Sequence, residues 1–187
     1  MRVARVLNLA ALAGLAGWSV WAYQTLPTTY PIHFDLVGRP DRWAEKGPWL
    51  WAGLPLLAVA LSAVFSWARP LARRAPGLLN VPRKQLYLEL DAAGRERILD
   101  RVAGFLDVTG LLTTMLLWGT QATIWHAARS GSLASDVLLV GIAVWTLVVV
   151  AWGVGLHRRL GREIEELHRR GTAAGRSRES YGPGSPE

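Results

Sequence analysis

The stretch that decides the fold is Trp49–Ala68, which reads WLWAGLPLLAVALSAVFSWA and contains no charged residue. Three further apolar runs of similar length are Val6–Tyr23, Ala103–Trp125 and Val137–Leu156. A helix needs about 20 residues to cross a bilayer core about 30 Å thick. Inside hydrocarbon the backbone must satisfy its own hydrogen bonds, so runs of this length are predicted to be helices. The sequence therefore predicts an all-α fold, an integral membrane four-helix bundle.

The charges predict an orientation for this bundle. Of the 21 Lys and Arg residues, 17 lie in the N-terminus, the second loop and the tail, and 4 lie in the first and third loops. Because cytoplasmic loops carry the excess of Lys and Arg, we expect both termini and the second loop inside the cell. The net charge of +7 then reflects topology and contact with anionic headgroups. The lipid bilayer is the expected partner, and nucleic acid is not.

The predicted segments follow from these runs. They are transmembrane helices at 1–24, 49–68, 103–125 and 137–156, a short ordered outer loop at 25–48, a basic cytoplasmic loop at 69–102, a second outer loop at 126–136, and a cytoplasmic helix extension with a disordered tail at 157–187. A cleaved signal peptide is the alternative for the first run, but its apolar stretch is too long and no clear A-x-A site follows it. We therefore expect a retained helix.

The first helix and the tail each carry a helical pattern. Small residues recur at helical spacing in the pairs Ala10/Gly14 and Ala13/Gly17, which favours close packing against another helix of the same chain over homodimerisation. In the tail, Leu160, Ile164 and Leu167 form an apolar edge among charged residues, which is typical of a helix lying at the membrane interface. From Gly171 onward, Gly, Ser, Arg and Pro dominate, and we expect disorder.

The outer loop has the densest patterning in the chain. Ile32–Leu36 alternates apolar and polar residues, which predicts an extended segment with Ile32, Phe34 and Leu36 on one face and His33 and Asp35 on the other. Residues 37–40 read as a turn. Asp41 is then predicted to cap a short helical turn over 42–45.

These loop residues resemble a known family. Leu26-Pro27, Tyr30 to Asp35, Gly38, Pro40 to Trp43, and Lys46 are similar in order and type to the signature of the DUF1648 membrane domain, and Asn80 to Lys84 resembles its second landmark. The resemblance covers roughly residues 20–90. It implies a multi-pass protein of the bacterial cytoplasmic (inner) membrane. The same domain begins the SdpI-type immunity proteins, which protect bacteria against a secreted toxin and can sequester a repressor at the membrane.

Two sets of loop residues are predicted to make contacts. The outer set, expected to recognise a peptide, lipid or protein partner, is His33, Asp35, Asp41, Arg42, Trp43 and Lys46. The cytoplasmic set, expected to touch headgroups or a soluble partner, is Asn80, Pro82, Arg83 and Lys84. His33 and Asp35 are weak candidates for metal ligands, but a loop fastened by hydrogen bonds explains them better, so neither metal nor cofactor is predicted.

The third apolar run carries polar residues at a fixed spacing. Asp107, Thr114 and Gln121 recur every seven residues and share one helical face. Ionisable groups in membranes often mark function, so a small transporter or permease subunit is one alternative. Interhelical hydrogen bonds are the explanation that we favour.

Catalysis has no support in the sequence. No H-E-x-x-H, G-x-S-x-G or P-loop pattern occurs, and the absence of Cys excludes disulfides and thiolate chemistry. We expect a non-enzymatic membrane protein with a recognition, immunity or signalling role.

Overall fold

The computed structural model describes residues 2–35, 39–130 and 135–180. Its elements are α1 (Arg2–Thr25), β1 (Thr29–Phe34), β2 (Pro40–Glu45), α2 (Pro48–Arg74), α3 (Lys84–Glu89), α4 (Ala92–Ser130) and α5 (Ser135–Ser180), with one 3-10 turn at Pro76–Leu78. Four of these helices, α1, α2, α4 and α5, are long and apolar enough to cross a membrane. The prediction of an all-α membrane protein with four spans is confirmed, and its orientation stays a prediction.

The starts of two long helices follow from local chemistry. Pro48 occupies the first position of α2, where its missing N–H costs nothing because that group has no helical partner. Asp91 precedes α4, and its Oδ1 accepts a hydrogen bond of 2.7 Å from the Gly94 amide. This contact satisfies one of the unpaired donors of the first helical turn, as an N-terminal cap does.

The chain divides into two compact units. The first comprises Met1–Ser66 with Leu106–Val150, and the second comprises Trp67–Phe105 with Ala151–Glu187. The first unit holds most of the apolar runs together with the segment between α1 and α2. The second holds α3 and the charged ends of α2, α4 and α5.

In the first unit, β1 and β2 form an antiparallel hairpin. Thr29 pairs with Glu45, Tyr30 with Ala44 and Pro31 with Trp43, and the register shifts on both sides of His33. The predicted extended segment is present, but its simple alternation is wrong, because the bulge interrupts it and leaves Ile32 exposed. Leu36 and the centre of the predicted turn, 37–38, lie outside the described residues.

The helical turn predicted over 42–45 is wrong. Residues Pro40–Glu45 form β2 instead, and Asp41 lies within the strand. The physical reason is that pairing with β1 gives the backbone of this segment more hydrogen bonds than one capped helical turn would give it.

The second unit has its own apolar core. Its buried members are Val81, Tyr87, Leu90, Ile98, Leu160 and Ile164. The apolar edge predicted to lie on the membrane interface is therefore covered by protein, because α3 and the start of α4 pack against it. Leu167 packs at the margin of the same core.

The tail is more ordered than its composition predicts. Helix α5 continues through Gly171 to Ser180, so the expected disorder does not begin at Gly171. Extending an existing helix avoids the cost of nucleation, and a single Gly in a helix costs only about 1 kcal/mol. Residues 181–187 lie outside the described part of the chain.

Candidate functional site

The hairpin rests on a cluster of aromatic side chains, here called the aromatic floor: Trp18, Tyr23, Tyr30, Trp51 and Trp125. Tyr30 projects from β1 and meets Trp51 edge to face, with ring centroids 5.9 Å apart. Trp18 lies 6.4 Å from Trp51 and 6.1 Å from Trp125. Aromatic pairs at these distances add about 0.5–1.5 kcal/mol each beyond their buried area. The floor therefore ties the hairpin to α1, α2 and α4.

Hydrogen bonds hold the aromatic floor in place. The Trp51 indole Nε1–H donates to the Ser19 carbonyl over 2.9 Å, and the Trp125 indole donates to Thr25 Oγ1 over 2.9 Å. Each indole thus pairs its polar atom, and the Trp51 ring is buried while the Trp125 ring is partly buried. This arrangement suits tryptophan at the end of a membrane helix, where one side of the ring is apolar and the other is polar.

Lys46 is an anchor of the hairpin. Its Nζ donates to the Leu26 carbonyl over 3.1 Å and lies 4.8 Å from the centroid of the Tyr23 ring. Its backbone amide also donates to the Thr28 carbonyl over 2.8 Å. These contacts join the exit of β2 to the exit of α1. The structure thus gives Lys46, one of the predicted recognition residues, an internal role.

The remaining predicted recognition residues are at the surface of the hairpin. His33 Nδ1 lies 2.6 Å from Asp41 Oδ1, and both side chains are about half exposed. Asp35 Oδ1 accepts a 2.7 Å hydrogen bond from the Arg39 amide, which fastens the loop. Within the described ranges no three His, Asp or Glu side chains converge as metal ligands would.

Apolar and charged groups lie side by side on this hairpin. Trp43 is 53% exposed and Ile32 is 40% exposed. The Arg42 side chain is exposed as well. Tryptophan and arginine are among the residue types that contribute most to the binding energy at protein interfaces.

Tyr30 carries a buried polar atom. Within the part of the chain that the structure describes, its hydroxyl has no hydrogen-bond partner. Burial, with the neighbouring Tyr23, raises the pKa of the Tyr30 hydroxyl above its ordinary value. The neutral phenol therefore persists to a higher pH here than in water.

The predicted polar stripe on α4 lies in the interior of the first unit, where it contacts α1 and α2. Arg5 Nη2 donates to Asp107 Oδ1 over 3.0 Å and to Oδ2 over 3.2 Å. Thr114 Oγ1 donates to Asn8 Oδ1 over 2.8 Å, and Asn8 Nδ2 donates to Ser62 Oγ over 3.1 Å. Asp107 and Thr114 of the stripe thus each bond to a residue of α1, and Asn8 of α1 bonds in turn to Ser62 of α2.

Gln121 completes this series of contacts. Its Nε2 donates to the Trp51 carbonyl over 2.9 Å, and its Oε1 accepts from Ser19 Oγ over 2.9 Å. We call the whole set the polar ladder: Arg5, Asn8, Ser19, Ser62, Asp107, Thr114 and Gln121. Because Gln121 bonds the backbone of Trp51, the ladder ends at the aromatic floor and connects the membrane helices to the support of the hairpin.

Sequence reasoning found the α4 side of the ladder but missed its partners. Arg5, Asn8 and Ser19 are spaced three and eleven residues apart on α1, close to whole helical turns. That spacing was the feature of the sequence from which these three partners could have been predicted. The structure pairs Asp107 with Arg5, which the sequence analysis did not single out.

The predicted cytoplasmic contact residues have divided roles in the second unit. Arg83 has a left-handed backbone (φ 53°) before α3 and forms an ion pair with Glu165. Pro82 packs on Gly161, where an added Cβ would lie 3.6 Å from it. Asn80 and Lys84 are exposed. Two of the four residues therefore build the unit, and two remain available for contacts.

Comparison with known proteins identifies one domain. Residues 10–59 match the model of the family described as "Domain of unknown function (DUF1648)". This segment of the chain is therefore similar to the DUF1648 domain. The matched residues comprise most of α1, the hairpin and the first part of α2, so the domain contains both the hairpin and much of its aromatic floor. The resemblance seen in the sequence is thereby confirmed for the outer loop, whereas the landmark at Asn80 to Lys84 lies beyond the matched residues and stays a prediction.

A relative of the whole chain is also known. An "Uncharacterized protein" of Archaeoglobus fulgidus is 29% identical over 170 residues, which cover 86% of this chain and 91% of the relative. No solved structure matches this chain. The similarity therefore extends beyond the DUF1648 domain to the helices that follow it.

Proposed function

We propose that this protein is a non-enzymatic recognition protein of the bacterial cytoplasmic membrane, with an immunity or signalling role like that of the SdpI type. The hairpin, Thr29–Glu45, contacts a peptide, lipid or protein partner on the outer side. Exposed Asn80 and Lys84 supply a second contact, to headgroups or to a soluble protein, on the inner side. Neither a cofactor nor a metal is required.

One observation carries this proposal. On the hairpin, His33 contacts Asp41, and the exposed Arg42 and Trp43 follow Asp41 along β2. The side chains of the polar ladder, by contrast, are hydrogen-bonded to one another and to the Trp51 carbonyl. Asp107 in particular is bonded to Arg5, which supports a structural role for the α4 stripe.

A rigid support favours recognition by this surface. Three helices hold the hairpin through the aromatic floor, and Lys46 fastens its exit to α1. A surface that is ordered before binding loses less conformational entropy when a partner arrives. An exposed tryptophan on such a surface therefore contributes more of its contact energy to affinity.

The proposal is tested by replacing the exposed residues while keeping the anchors. A triple variant, His33→Ala, Asp41→Ala and Trp43→Ala, is expressed in a strain from which the native gene is deleted. The control is a double variant, Thr28→Ala and Thr29→Ala, in the same hairpin. Equal amounts in the membrane fraction and equal melting temperatures in detergent establish that all forms insert and fold.

The readout is any survival or gene-expression defect that the deletion produces. The triple variant should behave like the deletion, and the control should restore the native behaviour. Full restoration by the triple variant would show that the hairpin surface is not the recognition site.

A further inference from the structure

The outer edge of β2 presents backbone groups in a defined order. The Lys46 amide donates to the Thr28 carbonyl over 2.8 Å, which makes these residues a hydrogen-bonded pair. Bonded and non-bonded pairs alternate along an antiparallel ladder. The register then makes Tyr30–Ala44 a bonded pair, and Thr29–Glu45 and Pro31–Trp43 non-bonded pairs. The backbone N–H and C=O of Trp43 and Glu45 therefore point away from β1.

Pro31 agrees with this assignment. Proline has no N–H, so it fits a strand only where that group would face away from the paired strand. Its position opposite Trp43 is such a place. The β1 edge consequently lacks a donor at Pro31, and both Tyr30 and Pro31 are buried. The two edges of the hairpin are thus unequal: over the paired residues β1 keeps one exposed outward donor, at Thr29, whereas β2 has two, at Trp43 and Glu45.

The β2 edge is open within the described part of the chain. The sheet there has two strands only, and the amides of Trp43 and Glu45 donate to no other backbone group. The side chains of both residues are exposed. Two outward N–H groups and two outward C=O groups follow one another at a spacing of about 7 Å, which is the repeat of an extended chain.

We propose that the β2 edge binds an extended segment of another polypeptide as a third strand, with main-chain hydrogen bonds to Trp43 and Glu45. This inference rests on the proposed function and names the partner as a peptide. Strand addition to an exposed edge obtains affinity from backbone bonds and selectivity from side-chain contacts. Here the exposed Trp43 ring favours a peptide with an apolar residue opposite it.

A second copy of this chain fits the edge poorly. In an antiparallel pairing of two β2 strands, setting Trp43 against Trp43 of the second copy places Asp41 opposite Glu45. Setting Trp43 against Glu45 places Arg42 opposite Lys46, and the third register places Glu45 opposite Glu45. Like charges directly opposite each other destabilise a strand pair. All three registers that use the outward groups carry this penalty, so a foreign peptide is the better occupant.

The test uses the full-length protein in lipid nanodiscs, with a phage-displayed library of random linear peptides as the probe. Peptides that enrich over empty nanodiscs are synthesised and their Kd values are measured. Glu45→Pro removes an outward N–H, whereas Glu45→Ala removes only the side chain. Thr29→Pro places a proline on the opposite edge, at a non-bonded position like that of Pro31, and so controls for proline itself.

Glu45→Pro should weaken binding by about tenfold, the loss expected for one main-chain hydrogen bond of about 1.4 kcal/mol. Glu45→Ala and Thr29→Pro should stay within about threefold of the native Kd, because both keep the β2 donors and a single cross-strand side-chain pair contributes less than a main-chain hydrogen bond. On the native protein, N-methylation along the bound peptide should weaken binding at every second residue, since alternate amides face β2.

Several results would overturn strand addition. They are the absence of enriched peptides, equal binding to Glu45→Pro and Glu45→Ala, N-methyl sensitivity without alternation, or disulfide-linked dimers formed efficiently by Trp43→Cys copies. If the triple variant loses function while Glu45→Pro matches Glu45→Ala, the hairpin recognises its partner through side chains and only this inference fails. If the triple variant keeps function, the proposed function fails too.

Discussion

At the scale of single residues, the Arg5–Asp107 pair should respond unequally to the loss of its two members. The Asp107 side chain is 5% exposed and the Arg5 side chain is 48% exposed. Arg5→Leu leaves a buried carboxylate without its counter-charge and should cost about 3 kcal/mol of unfolding free energy. Asp107→Asn leaves an arginine that still reaches water or headgroups, and should cost about 1 kcal/mol.

Reversible unfolding in mixed detergent micelles measures both losses. A double variant, Arg5→Leu with Asp107→Leu, should recover part of the stability lost in Arg5→Leu, because no charge is then left buried. Equal losses in the two single variants, or no recovery in the double variant, would contradict the structural role given to this pair.

The same scale shows what single positions could and could not predict. A spacing of seven residues placed Asp107, Thr114 and Gln121 on one face of α4, because that spacing is a property of one helix. It could not name Arg5, Asn8 or Ser19 as partners, since the choice depends on which helix packs there. Hydrogen bonds that fasten the loop were predicted for His33 and Asp35, and the His33–Asp41 contact is one of them, whereas the anchoring role of Lys46 was not predicted.

At the scale of elements, the packing of α1 on α4 depends on one small residue. A Cβ added to Gly14 would lie 2.7 Å from Trp118, whereas a Cβ added to Gly17 meets nothing within 4 Å. Gly14→Val should therefore displace the Trp118 ring and cost about 1–3 kcal/mol, the usual penalty of overpacking. Gly17→Val is the matched control and should melt within a few degrees of the native protein.

Thermal melts of both variants in the same detergent measure this difference. Gly14 and Gly17 were predicted to share a packing face, and the structure separates their roles. Identical melting temperatures for the two variants would show that the α1–α4 contact at Trp118 is not tight.

The hairpin shows why an element can be placed from sequence and still be described wrongly. Alternation from Ile32 predicted an extended segment, and the segment is a strand. It also placed Ile32, Phe34 and Leu36 on one face of that segment, whereas the buried residues of the strand are the consecutive pair Tyr30 and Pro31. A two-stranded hairpin packs only its near end on the aromatic floor, and the bulge at His33 shifts the alternation beyond that point.

At the scale of the whole molecule, four spans were predictable because hydropathy over about 20 residues is a local property of the chain. The core of the second unit was not predictable in the same way. Leu160 and Ile164 could cover either lipid or protein, and only their long-range contacts with Tyr87 and Ile98 decide between the two. The charge asymmetry that predicts orientation is likewise a property of the complete chain.

The most direct test of the account is the side of the membrane on which each loop lies. The chain has no native Cys, so a single introduced Cys is the unique target of a membrane-impermeant maleimide. Arg42 on the hairpin and Lys84 at the start of α3 are both exposed positions for the substitutions Arg42→Cys and Lys84→Cys. In intact cells Arg42→Cys should be labelled and Lys84→Cys should not, and permeabilised cells should label both. Labelling of Lys84→Cys in intact cells while Arg42→Cys is protected, or equal labelling of both, would contradict an outward-facing recognition hairpin.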